Sequence, residues 1–545
     1  MDSVSVIFAI LMAILASGAL VRMIPFSIPL PLIQIVFGVM VAAVFKEGII
    51  LDPHVFFLLF IPPLLFLDGW RMPNSVLKKE RVNIFQLAFG LVIFTMLVLG
   101  YIIHWMIPSI PLPIAFALAA ILSPTDPVAV AGIARKLAVP ERVMSILEGE
   151  ALFNDASGLV AFRMAVLVAV TGSFSFSKAA TTFLWVAIAG ILVGIVTTGL
   201  LAYIRRRFTH KYGEEQGSEI LLSLLMPFFA YMIAEYIEAS GVLAAVAAGI
   251  TMSRLELIGG IEPMTRMRRS AIWDTVQFTL NGAIFVLLGE QLPFIFTGAM
   301  DVVAQTGHQS VLWLLLYALV ICVVLIVLRF VWVFVSINAT YWLKHQHRLA
   351  LTQPNVRDML VVSLGGVRGA ITLAGVMTLP LMMPNGDDFP ARDLAIFLAA
   401  AVIIISLLTA SISLPILLKD VHAEAYINSP LAQQKKIALA AVKKAGHKHM
   451  AEALVDLKKD HPTLPDDYYE QVLQRLWIEF EGNFDPYRDA DNVTHEQYEA
   501  ERSLRLTMIN AARDTIFHLG REHKISDDVV RDLVRQLDLD EVRFS

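Results

Sequence analysis

Thirteen apolar segments follow one another over the first 418 residues, most of them long enough to cross a lipid bilayer. They lie near 4–21, 24–45, 54–70, 83–106, 112–134, 144–170, 181–203, 217–236, 240–253, 271–292, 311–341, 358–382 and 393–418. Hydrocarbon offers the backbone no hydrogen-bond partner, so segments that cross it in this pattern must be helices. The sequence therefore predicts an all-α polytopic membrane protein with about thirteen transmembrane helices.

The basic residues between these segments predict their orientation. With the N-terminus outside, the inner connections carry nineteen Lys and Arg, whereas the outer connections carry only Lys46, Lys178 and Arg392. Cytoplasmic loops of membrane proteins are enriched in Lys and Arg. We therefore expect a protein of the cytoplasmic membrane with an odd number of crossings, its N-terminus outside and its C-terminus in the cytoplasm.

The composition changes after Leu418. Residues 419–545 hold 18 Lys+Arg and 24 Asp+Glu, against 25 and 24 in residues 1–418. The pattern predicts a transmembrane domain over 1–420 and, over 421–545, a cytoplasmic tail with helical runs that acts in regulation or assembly. The tail has no Gly-rich phosphate loop, no Cys/His metal spacing and no basic aromatic patch. We expect no cofactor and no nucleic acid, and the tail's ligand stays open.

Two short runs place carboxylates inside apolar segments: Ser-Pro-Thr-Asp-Pro at 123–127 and Glu-Ala-Leu-Phe-Asn-Asp at 150–155. An ionisable residue at membrane depth costs about 3 kcal/mol even on insertion scales, so it indicates an ion or proton path. Pro124 and Pro127 interrupt the helix, and the freed carbonyls are tolerated in a membrane only where they line a polar cavity. Those carbonyls and the Asp126 carboxylate favour a hard cation.

The second run predicts a polar side on one apolar helix. Glu150 and Asn154 are four residues apart and share a helix face, with Asp155 about 100° further round. Asp155 is therefore expected to lie beside two other polar groups.

A third polar feature lies in Ser-Leu-Gly-Gly-Val-Arg-Gly-Ala at 363–370. Gly366 and Gly369 predict a second broken helix, and Arg368 needs a partner there. Glu150 is the candidate, in a structural ion pair. Two interrupted segments, one early and one late, are typical of secondary transporters built from inverted repeats, with the site where the breaks meet.

Asp68 ends the third segment in Phe-Leu-Asp-Gly-Trp. Two interpretations stay open: an interfacial cap beside Trp70 and Arg71, or a side chain that lines the ion path.

Several motifs together resemble the monovalent cation:proton antiporter-1 family, the bacterial sodium/proton exchangers and their animal relatives. They are Ile-Pro-Pro-Leu-Leu-Phe-Leu-Asp-Gly-Trp at 61–70, Thr-Asp-Pro-Val-Ala-Val at 125–130, Gly-Glu-Ala-Leu-Phe-Asn-Asp-Ala at 149–156, Ser-Gly-Val-Leu-Ala-Ala-Val-Ala-Ala-Gly at 240–249 and Gly-Val-Arg-Gly-Ala at 366–370. The resemblance covers residues 5 to 420. It implies a homodimer of thirteen-helix subunits, each with two crossed, broken helices.

The resemblance also implies roles for particular residues. Asp155 would bind cation and proton, with Asn154 beside it and with Thr125 and Asp126 in the same Na⁺ site. It implies that Glu150 pairs with Arg368 and that Asp68 lies in the ion path. The Asn-Asp pair at 154–155 is the pattern of the family's electroneutral branch. Ala151, where some relatives have Ser, and Asn281, where the animal exchangers have Glu, leave the choice among Na⁺, Li⁺ and K⁺ open.

The expected function is exchange of Na⁺ or Li⁺ for H⁺, which would serve sodium extrusion and pH homeostasis. Burial disfavours the charged carboxylate of Asp155 and a bound cation favours it, so cation and proton would compete for one group. An empty, charged site is costly to move across a membrane, which predicts electroneutral 1:1 exchange. The alternatives are K⁺/H⁺ exchange, a cation channel, and an intramembrane aspartyl protease, which would need two apposed carboxylates. No enzymatic activity is expected.

Overall fold

The computed structural model describes residues 3–24, 28–45, 53–72, 77, 80–126, 141–172, 176–213, 215–256, 263–305, 311–346 and 356–418, and parts of the tail. The chain divides into two compact units, Met1–Val421 and His422–Ser545. The described residues of the first unit are helical almost throughout, apart from one isolated β-bridge between Met382 and Asp388. The prediction of an all-α membrane protein is confirmed.

The helices of the first unit are named in chain order. They are α1 Ser3–Met23, α2 Leu30–Phe45, α3 Pro53–Arg71, α4 Arg81–Met106, α5 Leu112–Leu122, α6 Glu141–Thr171, α7 Phe176–Tyr212, α8 Gln216–Tyr236, α9 Gly241–Glu256, α10 Pro263–Gln305, α11 Val311–Gln346, α12 Val356–Leu364, α13 Ala370–Met377 and α14 Arg392–Leu418.

Eight of these helices contain a stretch long and apolar enough to cross a membrane: α1, α4, α6, α7, α8, α10, α11 and α14. Two more, α2 and α5, are apolar but shorter. Each of the thirteen predicted segments overlaps a described helix, but the count of thirteen crossings, the inverted repeats and the orientation of the termini stay predictions.

Small residues bring α3 and α9 into backbone contact. A Cβ atom at Gly69 would lie 2.6 Å from the carbonyl oxygen of Val246, and one at Gly249 would overlap the carbonyl oxygen of Phe66. Without these glycines the two helices could not approach so closely. The crossing fixes the end of α3, where Asp68 lies.

A π turn at Gln86–Leu91 interrupts the regular hydrogen bonding of α4. Its carbonyls accept bonds from two other helices: Ser157 of α6 donates to Ala88 at 2.5 Å, and Trp332 of α11 donates to Gln86 at 3.1 Å. The π turn thus connects α4 to the helix that carries Asp155, a common use of such turns near functional sites.

In the second unit, the structure describes a helix at 507–519, within the tail in which the sequence predicts helical runs. Arg513 in this helix hydrogen-bonds Asn510 at 2.9 Å and pairs with Glu541. Most of the remaining tail lies outside the described residues. The regulatory or assembly role of the tail stays a prediction.

Candidate ion site

Two interrupted helical segments meet in the middle of the bundle. The first breaks after α5, where residues 124–126 are not helical, and the second breaks between α12 and α13, where 365–369 are not helical. The backbone N–H of Asp126 donates to the carbonyl of Val367 at 2.7 Å. One main-chain hydrogen bond therefore joins the two breaks. Pro127, predicted to share in the first break, lies outside the described residues.

Each break holds a charge that suits the helix end it faces. A Cβ atom at Gly369, the residue before α13, would overlap the carboxylate of Asp126. The guanidinium of Arg368 lies at the opposite kind of end, because its Nε donates to the carbonyl of Leu122, the last residue of α5, at 3.0 Å. A negative group at a helix N-terminus and a positive group at a C-terminus both complement the helix dipole.

The predicted ion pair between Glu150 and Arg368 is wrong. Arg329 of α11 binds Glu150 instead, through two hydrogen bonds of 2.5 and 2.7 Å to the two carboxylate oxygens. Arg368 is occupied by backbone carbonyls, since its Nη1 also donates to Gly366 at 2.5 Å. The freed carbonyls of the breaks satisfy the buried guanidinium, so it does not need a carboxylate.

Sequence reasoning missed Arg329. The signal was available, because Arg329 is the single charged residue between Val311 and Trp342. Its Nε donates to the carbonyl of Val362 at 3.0 Å, and only 2% of its side chain is exposed. Arg329 thus connects α11 both to α12 and, through Glu150, to α6.

A chain of polar contacts runs from Arg329 toward the first break. Asn154 donates through Nδ2 to the hydroxyl of Thr125 at 3.1 Å and to Glu150 at 3.4 Å, and the Thr125 hydroxyl donates to Glu150 at 3.4 Å. All three side chains are buried. The contacts fix Asn154 and Thr125 beside each other, one on α6 and one at the break.

Asp155 differs from these neighbours. Its side chain is 8% exposed, and the groups that act on it electrostatically are all acidic: Asp126, Asp68 and Glu150. Among the residues that the structure describes, none donates a hydrogen bond to its carboxylate. Burial of an unpaired negative charge is unfavourable, so the site favours a positive ion or a proton on Asp155.

Two further oxygen atoms near the break are buried and lack a partner within the described residues: Oδ1 of Asn154 and Oγ of Ser123. Buried polar atoms are nearly always satisfied, so such atoms call for a ligand or a water molecule. No three His, Cys, Asp or Glu side chains in the described part of the chain converge as a resident metal ion would require. The oxygens suit a transient monovalent ion, which needs fewer charged ligands.

Asp68 belongs to the electrostatic surroundings of the site. It interacts with Asp126, Arg71 and Glu148 and is half-buried at the end of α3. Arg71 itself pairs with Asp274 and Gln277 of α10. Of the two interpretations that the sequence left open, the electrostatic interaction with Asp126 favours the lining of the ion path.

A helical membrane bundle in which two broken helices meet beside a buried, unpaired carboxylate is the arrangement of a secondary ion transporter. A family model described as "Sodium/hydrogen exchanger, transmembrane" matches residues 7–420. The chain belongs to this family, and the resemblance seen in its motifs is confirmed.

Individual relatives agree with the family match. A protein of Escherichia coli K12, named as the uncharacterized Na⁺/H⁺ exchanger YjcE, is 38% identical over 534 residues, covering 96% of this chain and 95% of that protein. A sodium, potassium, lithium and rubidium/H⁺ antiporter of Bacillus pumilus is 38% identical over 536 residues, covering 96% and 75%.

The fold has a counterpart among solved structures. The sodium proton antiporter MjNhaP1 of Methanocaldococcus jannaschii, at pH 8, matches with a TM-score of 0.57 at 16% identity, over 77% of this chain and 99% of that one. At this identity the likeness shows the fold alone.

Proposed function

We propose that the protein exchanges Na⁺ or Li⁺ for H⁺, one for one, and that both ions compete for Asp155. The observation that carries the proposal is the unpaired, nearly inaccessible carboxylate at the crossing of the two breaks. A carboxylate in such a place is stabilised either by a proton or by a cation. Binding of one ion therefore displaces the other.

The cation's ligands would come from both sides of the crossing. Asp155 and Oδ1 of Asn154 would approach from α6, and Asp126 and the Thr125 hydroxyl from the first break. Carboxylate, amide and hydroxyl oxygens suit hard monovalent ions and discriminate weakly among them. The ions are cargo, and the proposal needs no cofactor.

The proposed stoichiometry follows from the cost of moving charge. With a proton or a monovalent cation on Asp155, the pair is close to neutral, whereas the empty carboxylate is not. Only the loaded states would then change access, so each cycle carries one positive charge in each direction.

K⁺/H⁺ exchange is the second candidate, favoured by the name of the Bacillus pumilus relative, which includes potassium. The same oxygen ligands would serve either ion, and competition between the ions in one assay separates the two candidates.

The assembly is also a proposal. The family match supports a multi-pass membrane protein. We propose that it lies in the cytoplasmic membrane as a homodimer, with the N-terminus outside and the tail in the cytoplasm. The nineteen-to-three distribution of basic residues between the two sets of connections supports this orientation.

Purified protein in lipid vesicles with a pH-sensitive dye inside tests the function. Addition of Na⁺ or Li⁺ should move protons at a rate that does not change with imposed membrane voltage. Because protons compete, the half-saturating Na⁺ concentration should rise as the pH falls. Cation flux without proton movement would contradict exchange and indicate a channel, and steep voltage dependence would contradict the 1:1 stoichiometry.

A further inference from the structure

An ion pair connects α6 to α8 on the far side of Asp155. Arg163, eight residues beyond Asp155 on α6, lies about 12 Å further along the helix axis. Its two terminal nitrogens donate to the same carboxylate oxygen of Glu235, near the end of α8, at 3.4 and 3.5 Å. Neither residue contributes to the candidate ion site.

Other groups hold this pair in place. Tyr231 interacts electrostatically with both Arg163 and Glu235, and the backbone N–H of Gly241 donates to the same Glu235 oxygen at 3.4 Å. The ring of Tyr231 packs on Gly241, where a Cβ atom would lie 2.5 Å from the nearest ring carbon. Arg163 therefore contacts a surface formed by α8 and the start of α9.

Charged groups lie on both sides of Asp155 along α6. Toward its N-terminus, seven residues before Asp155, Glu148 is exposed and interacts with Asp68. Toward its C-terminus, Leu159 and Phe162 are buried, and the Arg163–Glu235 pair lies beyond them. The side chains of Leu159 and Phe162 thus pack between Asp155 and this pair, while the acidic Glu148 is exposed on the other side of Asp155.

We propose that Arg163, Glu235 and Tyr231 are positioning residues that close the ion site on the side of the α6 C-terminus and separate when the site opens there. The proposal rests on the proposed exchange function, since exchange requires access to Asp155 from both sides in turn. It gives Arg163 a function through the position of α6, with no contact to the cargo.

The strength of the pair suits a closure that must open in every cycle. The side chains of Arg163 and Glu235 are 50% and 35% exposed, and exposed ion pairs stabilise only slightly. Loss of the pair should change the balance between the two conformations by about two- to fivefold. A fully buried pair would hold the closed conformation much more strongly.

Half-saturating Na⁺ concentrations, measured in right-side-out and in everted vesicles, test the proposal. Arg163→Gln and Glu235→Gln should each change the ratio of the two concentrations by about two- to fivefold, with tighter binding on the side of the α6 C-terminus. Tyr231→Phe, a milder substitution, should change it in the same direction. The exchanged pair Arg163→Glu/Glu235→Arg should return the ratio toward that of the wild type.

Glu219→Gln is the matched control. Glu219 also belongs to α8 and pairs with Arg205 at 3.3 Å, but Arg205 is on α7, so this pair does not involve α6. Its loss should leave the ratio unchanged. An unchanged ratio in the Arg163 and Glu235 variants, or no recovery in the exchanged pair, would overturn the proposal that these residues close the site. A wild-type protein that does not exchange in either vesicle type would instead contradict the proposed function.

Discussion

Two successive turns of α6 carry buried carboxylates with opposite surroundings. Glu150 is 1% exposed and is held by both terminal nitrogens of Arg329, with Thr125 and Asn154 as further partners. Asp155, just over one turn later, has only acidic groups acting on it. The charge of Glu150 is thus compensated by the protein itself. Under the proposed function, an ion from solution would compensate the charge of Asp155, and this difference would separate a structural carboxylate from a transport carboxylate.

The largest expected effect is loss of exchange in Asp155→Asn. The asparagine amide carries no negative charge and does not take up a proton, so it can serve neither the proton nor the cation half of the cycle. Coupled proton movement should therefore fall at least a hundredfold, which corresponds to about 3 kcal/mol in activation free energy. The apparent melting temperature in detergent should not fall, because an unpaired buried charge has been removed. Asp387→Asn, in an exposed turn, is the control and should transport normally. Retained exchange in Asp155→Asn would move the site toward Asp126 and Asp68.

Glu150→Gln should show the opposite pattern, with a large effect on stability. The substitution leaves Arg329 buried without its counter-ion, which costs about 3–5 kcal/mol. We expect a clear drop in the apparent melting temperature of the purified protein. The double variant Glu150→Gln/Arg329→Met should recover much of the loss, since no uncompensated charge remains. Wild-type melting in the single variant would show that Glu150 is not structural.

Arg368→Gln should have a smaller effect on stability. It removes the donors to Leu122 and Gly366 and leaves carbonyls of both breaks unsatisfied, at a cost of about 1–3 kcal/mol. Arg368→Lys keeps the charge but not the planar set of donors, so its stability should lie between that of the wild type and that of Arg368→Gln. If Glu150 were the true partner of Arg368, the Glu150→Gln and Arg368→Gln effects would be strongly non-additive in thermal melting.

Thr125→Val should have the smallest effect of these four substitutions and should act on binding. The hydroxyl that accepts from Asn154 is lost while the shape of the side chain is kept, so the half-saturating Na⁺ concentration should rise about five- to tenfold at an unchanged maximal rate, equivalent to about 1 kcal/mol. Thr125→Ser keeps the hydroxyl and should bind Na⁺ like the wild type. An unchanged Na⁺ dependence in Thr125→Val would exclude this hydroxyl from the ligand set.

The sequence was most informative where one residue type has few other uses in a membrane. Carboxylates at Asp126 and Asp155 inside apolar segments, and prolines or glycines beside charges, indicated the candidate ion site and the positions of the breaks. Hydrophobic length indicated the helices. These signals are local, so they can be recognised without knowledge of which helices touch.

Partner choice was not predictable in the same way. Arg329 and Arg368 are both single arginines in apolar segments, and which one reaches Glu150 depends on the packing of α6 against α11 and α12. The sequence also does not show which backbone carbonyls are free to accept from a guanidinium, as those of Leu122 and Gly366 do from Arg368. The π turn at Gln86–Leu91 left no recognisable signal in the sequence, since none of its residues requires the wider hydrogen-bonded turn.

The hydrogen bond from the Asp126 N–H to the Val367 carbonyl has an evolutionary consequence. It joins main chain to main chain, so no side-chain replacement at these two positions removes it, except proline in place of Asp126. Side chains around it can therefore be exchanged while the crossing keeps its geometry. Single substitutions around the crossing can therefore change the ion preference during evolution while the backbone that positions the ligands stays the same.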